Sequence, residues 1–111
     1  MSEVAALEKQ LADARLLMER RDVILRLTGH PDFKRIILDG FCKEDCARFA
    51  QESQDPALTP AQQADALNMA QASGHLRRYL SAQITLGNHA AREIPSLEEV
   101  LVEIRNDDGG E

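Results

Sequence analysis

The sequence predicts an all-α chain: a three-helix bundle or extended helical hairpin, with a long N-terminal helix and a short C-terminal one. Three observations carry this reading. Apolar residues recur at three- and four-residue intervals over most of the 111 residues. No sustained alternating run rich in Val, Ile and Thr marks a strand. Pro and Gly cluster at a few junctions, where they punctuate rather than pervade the chain.

The first helix is expected over residues 2–27. Ser2 is placed to cap it, and Glu3 lies in its first turn. Val4, Leu7, Leu11, Ala14, Met18, Arg21 and Leu25 follow a 3-4 spacing that resembles a coiled-coil seam, with Arg21 interrupting it. Leu17 and Ile24 widen the stripe to one side. A helix of this length spans about 39 Å at 1.5 Å per residue. Such a helix is long for so small a body, so it either projects or is partly covered by a partner.

Thr28-Gly29-His30-Pro31 ends that helix and starts the next, with Gly29 closing one and Pro31 opening the other. The second helix is expected over residues 31–52, with Phe33, Ile36, Ile37, Phe41, Cys42 and Phe49 on its apolar side. Gly40 in its middle predicts close approach of another helix, with a break near Asp39-Gly40 as the competing reading. Asp55-Pro56 then marks a loop. Thr59-Pro60-Ala61-Gln62 is a strong helix start, a capping pair around a proline at the first helical position.

The third helix is alanine-rich and is expected to reach Asn88 or Ala91, with Gly87-Asn88 as its stop and Gly74 at a tight crossing. Ile94-Pro95-Ser96 reads as a second punctuation. Ser96 would cap a short helix carrying Leu97, Val100, Leu101 and Ile104. Residues 106–111 read as a disordered acidic tail. The expected organisation is therefore an oligomerisation or arm helix over 1–28, a helical core over 29–91, a short helix over 92–105 and the tail. No internal repeat is evident.

Charge is unevenly spread. The chain has 13 Lys and Arg against 19 Asp and Glu, a formal net charge of −6. Residues 93–111 hold one basic and seven acidic groups, so the excess belongs to the C-terminal segment. The balance argues against general phosphate-backbone binding, and direct nucleic-acid contact is not expected. The acidic end serves solubility or steers a basic partner. With aromatics at 4% and no Trp, a large aromatic binding face is not expected either.

No phosphate-loop, dinucleotide, zinc-protease or calcium-loop pattern is present, so no catalytic, cofactor-binding or metal-binding residue is assigned, and an enzyme is not expected. His75 reads as a residue at a helix–helix boundary and His30 as a junction or cap residue. Cys42 and Cys46 lie one turn apart on one face, poorly placed for a disulfide within a regular helix, and read as reduced, in a cytoplasmic compartment. No targeting segment or membrane-spanning run is read. Arg20-Arg21 is flanked by Glu19 and Asp22. Arg77-Arg78 has no acidic residue between Asp65 and Glu93, and suits an anion or an acidic protein face. The candidate interface residues are thus Val4, Leu7, Leu11, Ala14, Met18, Leu25, Arg77 and Arg78.

His30-Pro31-Asp32-Phe33-Lys34, Ile37, Asp39-Gly40-Phe41, Glu44 and Arg48, followed by His75-Leu76-Arg77-Arg78-Tyr79-Leu80, Ile84, Gly87 and Ala90, form a pattern. Over residues 24–91 it resembles small helical proteins of tailed bacteriophages, encoded in the head and tail assembly gene region. Gly40-Phe41 and Tyr79-Leu80 would be its packing positions; Cys42 and Cys46 depart from it. The resemblance implies a non-enzymatic structural or assembly protein, a homo-oligomer contacting other phage structural proteins. It would act in the host cytoplasm during assembly or be incorporated in the virion. The alternative is a small phage regulator that binds and inhibits one host or viral protein.

Overall fold

A computed structural model of the chain describes residues 2–109. The fold is all-α, with three helices and no strand among the described residues. Helix α1 spans Glu3–Gly29. Its N-terminus is capped by Ser2, whose Oγ accepts the Ala5 N–H at 3.2 Å. The chain leaves α1 through His30 in an extended conformation, φ −70 and ψ 130. The His30 Nδ1 accepts the Asp32 N–H at 3.1 Å, so this histidine is the cap of the second helix, and Pro31 fills its first position.

The second helix is continuous but changes its winding. A first α-turn, α2 (Pro31–Phe33), passes into a π-helical stretch (Lys34–Asp45) and then into α3 (Cys46–Glu52). The backbone stays right-handed helical through both junctions, so Asp39-Gly40 is not a break. In the π stretch hydrogen bonds reach five residues back, as from Cys46 N–H to Phe41 O, and the helix is underwound. The sheltered face therefore repeats near every fourth residue: Phe33, Ile37 with Leu38, Phe41 with Cys42, Cys46 and Phe49. Ile36, expected on that face from an α-helical period, is 56% exposed. Gly40 is explained by its own helix rather than by a crossing. A Cβ there would lie 3.1 Å from the Arg35 carbonyl oxygen, five residues earlier.

The loop after α3 is held by Asp55. Its Oδ1 accepts the Ala57 N–H at 2.9 Å, and its carbonyl accepts Gln63 Nε2 at 2.6 Å. The Thr59–Gln62 capping box forms in full: Thr59 N–H donates to Gln62 Oε1, and Gln62 N–H to Thr59 Oγ1.

Helix α4 then runs unbroken over Pro60–Gly109. The expected stop at Gly87-Asn88 and the separate helix after Pro95 are both absent. Pro95 lies inside α4 and cannot donate to the carbonyl of Ala91, a defect worth about 3 kcal/mol in a helix interior. Ile94, Leu97 and Leu101 are buried around it. At about 1.5–3 kcal/mol for each buried side chain, the packing they gain by continuing the helix exceeds that cost. The described part of the expected tail, up to Gly109, is also helical, with Asn106 and Asp107 exposed; residues 110 and 111 lie outside the described residues.

The chain divides into two compact units. One comprises residues 1–24 and 83–111, the other residues 25–82. In the first, α1 and the C-terminal part of α4 run antiparallel around a core of Leu11, Ala14, Ala90, Ile94, Leu97 and Leu101. In the second, the π stretch and α3 pack on the N-terminal part of α4, where Cys42, Ala66, Ser73 and Leu80 are buried.

Candidate interaction surfaces

Burial along α4 has a strict period. Ala66, Ser73, Leu80, Gly87, Ile94 and Leu101 are each seven residues apart, and all six are buried. Three residues after each comes Met69, Leu76, Gln83, Ala90, Leu97 or Ile104, and of these only Met69 falls among the exposed positions. This is a heptad seam over six repeats, the period of a left-handed supercoil. The repeat is hard to see in the sequence because three of the six leading positions are Ala, Ser and Gly. Those residues show no apolar bulk, yet they suit a seam where backbones come close. The sequence signal for the seam is the seven-residue spacing of small and apolar residues, which runs on through Gly87 and Pro95.

In the first unit the α1 stripe meets this seam. Leu11 and Ala14 are buried in the shared core, and Val4, Leu7, Leu17 and Met18 pack against it. The expected interface stripe of Val4, Leu7, Leu11, Ala14 and Met18 is thus covered within the chain. Leu25 is not part of it: it is 47% exposed, and Ile24, buried, ends the stripe instead. On one flank Arg105 donates to Glu8 at 2.6 Å and Arg15 lies 3.7 Å from Glu98, the pairing of flanking positions in an antiparallel coiled coil. Both pairs are about half exposed, so they set register more than stability, at about 0.2–1 kcal/mol each. They rim an open groove of about 300 Å³ floored by Leu11 and Leu101.

The tight crossing is at Gly87, not at Gly74. A Cβ at Gly87 would strike the Arg21 Cβ and lie 2.9 Å from both Arg21 Cγ and the Leu17 carbonyl oxygen. A Cβ at Gly74 would meet nothing within 4 Å. Arg21 therefore does not interrupt the seam. Its stem packs on Gly87, its side chain is only 19% exposed, and its guanidinium turns to Asp22 Oδ1 at 2.8 Å and Asn88 Oδ1 at 3.1 Å.

In the second unit Cys42 and Cys46 face α4. Both are free thiols, donating at 3.7 Å to the carbonyls of Ser73 and Ala70 respectively. Burial pushes the Cys42 thiol above its ordinary value of 9.0, against the pull of the Arg77 guanidinium, with Cys46 adding to the rise. Arg77 and Arg78 are exposed on α4 and pair with no carboxylate among the described residues. His75 is exposed too, not set at a helix boundary. Of the pair Tyr79-Leu80, Leu80 packs while Tyr79 is 53% exposed.

Beside α4's first turns lies a cavity of about 360 Å³ lined by Phe49, Glu52, Asp55, Leu58, Gln62, Asp65 and Ala66. Phe49, Leu58 and Ala66 give it apolar lining and Glu52, Asp55 and Asp65 carboxylates, with the Arg48 guanidinium lying 4.5 Å over the Phe49 ring. Glu52 is held by Arg48 at 3.0 Å. Asp65 has no ion-pair partner among the described residues. No group of three or more potential metal-binding side chains is present among the described residues, and no helix is long and apolar enough to cross a membrane. No protein-family model, curated protein or solved structure matches the chain.

Proposed function

We propose that this chain is a non-enzymatic assembly protein that makes helical protein–protein contacts, first of all with copies of itself. The observation that carries the reading is the apolar surface left outside the seam. In the first unit, Leu16 and Val23 lie a heptad apart on the side of α1 away from its core stripe, and both are exposed. On α4, Leu86 and Val100 are two heptads apart on one flank of the buried row, and they too are exposed. Singly exposed apolar residues are ordinary, but apolar residues repeating at the helix period on two surfaces describe faces that other helices cover. A two-helix unit also has little core of its own, and small helical bodies commonly complete theirs by association.

The setting follows from the resemblance of residues 24–91 to phage head and tail assembly proteins: particle assembly in a host cytoplasm, with other phage structural proteins as further partners. Light scattering across a concentration series tests the self-association. A discrete oligomer is the expected result, and a monomer at high concentration overturns it. Mass spectrometry of purified particles tests the setting. A stoichiometric complex with one non-self protein, formed by a monomeric chain, would favour an inhibitory regulator instead.

A further inference from the structure

We propose that Cys42 and Cys46 are a peroxide-responsive dithiol, which closes to a disulfide within the second helix and loosens that helix from α4. The residues involved all lie within residues 25–82, and the device works whether or not the chain self-associates.

Two features of the second helix bring the thiols within reach of one another. The first is the winding. In an α-helix, residues four apart have Cβ atoms about 5–6 Å apart. A disulfide spans only about 3.5–4.5 Å between Cβ atoms. Cys42 and Cys46 are joined instead by an underwound turn, in which the Cys46 N–H donates to Phe41 O and Lys43 O, five and three residues back. A wider turn climbs less per residue, so the two side chains are drawn together along the axis. The second feature is the contact with α4. Cys42 Sγ donates to Ser73 O and Cys46 Sγ to Ala70 O, each at 3.7 Å. Those carbonyls are three residues apart on one helix, about 4.5 Å along its axis, so both sulfurs are held on one side and near each other.

Their unequal exposure sets the order of steps. Cys46 is half-buried and meets the oxidant first, while Cys42 is buried. The Cys46 thiolate attacks hydrogen peroxide. An S–O bond forms, the O–O bond breaks, and the departing hydroxide takes the proton that Cys46 gave up and leaves as water. Cys46 is then a sulfenic acid. The Cys42 thiolate attacks its sulfur, an S–S bond forms, the S–O bond breaks, and a second water carries away the Cys42 proton. Two electrons have passed from sulfur to oxygen, and one peroxide has become two waters. The Arg77 guanidinium favours the Cys42 thiolate that the second step needs, working against burial. A disulfide has no thiol hydrogen, so both sulfur bonds to α4 are lost. Ala70 O keeps the Ser73 hydroxyl at 2.8 Å, whereas Ser73 O loses the Cys42 donor in a buried contact. The second helix is thereby released from α4 at its two thiols.

Trypsin cuts after Arg35, Lys43 and Arg48, so the disulfide joins two separate peptides, residues 36–43 and 44–48. Hydrogen peroxide added to the full chain should give this linked pair by mass spectrometry, on protein that still migrates as a single chain in a non-reducing gel. Dithiothreitol should restore both free peptides. Cys42→Ser should stop at the sulfenic acid, captured on Cys46 by dimedone. Cys46→Ser should give neither adduct nor link. In oxidised wild type, amide hydrogens of residues 42–52 should exchange severalfold faster than in the reduced protein. Sulfinic acid at Cys46 without the linked pair, or a link made only between two chains, would overturn the dithiol. A link formed with unchanged exchange would overturn the release from α4. Thiols that do not react with peroxide would overturn both.

Discussion

At the scale of single residues, Gly74 and Gly87 of α4 have opposite roles. Gly74 has open space where a side chain would stand, so Gly74→Ala should gain about 1 kcal/mol from helix propensity alone. Gly87 sits against Arg21 and the Leu17 backbone, so Gly87→Ala must push α1 away and should lose about 1–3 kcal/mol or more. Denaturant melts of the two variants should move in opposite directions. A gain in both would remove the crossing. The cysteines differ in a similar way. Cys42 is buried and Cys46 half-buried, so iodoacetamide should modify Cys46 first under native conditions. Because burial raises the Cys42 pKa, the folded chain keeps that proton longer than the unfolded chain does. Its contribution is therefore intact below the ordinary value of 9.0 and is lost as pH climbs from there toward the raised folded value. Stability of wild type should fall more steeply than that of Cys42→Ala between about pH 8 and 10. Parallel slopes would show that Cys42 ionisation does not matter to the fold.

At the scale of elements, the two departures from regular expectation have different causes. The second helix is underwound because its apolar residues repeat near every fourth position, wider than an α-helix can keep on one face. Its winding answers to the pattern it must bury on α4. Helix α4 answers to its partner in the other way, by tolerating Gly87 and Pro95 within the stretch that packs on α1. Pro95 is exposed and inside that helix, so Pro95→Ala restores a donor without removing a core contact. It should stabilise by about 1–3 kcal/mol, less than the whole penalty for proline because the native helix has already adapted to it. A thermal melt decides the matter. Destabilisation would mean that a bend at Pro95 is needed to bring Leu97 and Leu101 onto α1.

At the scale of the whole molecule, one unit depends on chain segments far apart in sequence, while the other is the continuous stretch of residues 25–82. The first unit joins residues 1–24 to residues 83–111, so it needs the core-forming parts of both terminal segments. Deleting residues 106–111 removes no apolar side chain, and Asn106 and Asp107 are exposed. The melting midpoint should stay nearly unchanged. Deleting from Pro95 onward removes Leu97 and Leu101 from the core and Arg105 and Glu98 from the flank. At about 2–5 kcal/mol for each lost buried leucine, that deletion should unfold the first unit, with Leu11 and Ala14 left exposed. Circular dichroism with a hydrophobic dye measures both. An unchanged midpoint in the longer deletion would show that α1 does not depend on α4.

The fold class is legible in the sequence, because helical periodicity and the lack of strand patterns are local properties. The starts of the three helices are legible there too, whereas the start expected at Ser96 falls inside α4. Ser2, His30-Pro31 and Thr59 to Gln62 work through hydrogen bonds spanning a few residues, so their spacing is legible without any partner. The α1 stripe was visible as apolar bulk, but not what covers it. That α4 passes through Gly87 and Pro95 is a result of packing between distant segments. Local propensity argues for a stop at both, and packing against α1 outweighs it. The same holds for Gly74 and Gly87, alike as letters and separated only by what stands opposite them. The candidate cavity was invisible for the same reason, since Phe49, Leu58 and Asp65 share no motif. They meet because the Asp55 turn folds the end of α3 back onto the start of α4, and a cavity is a property of that meeting rather than of any segment in it.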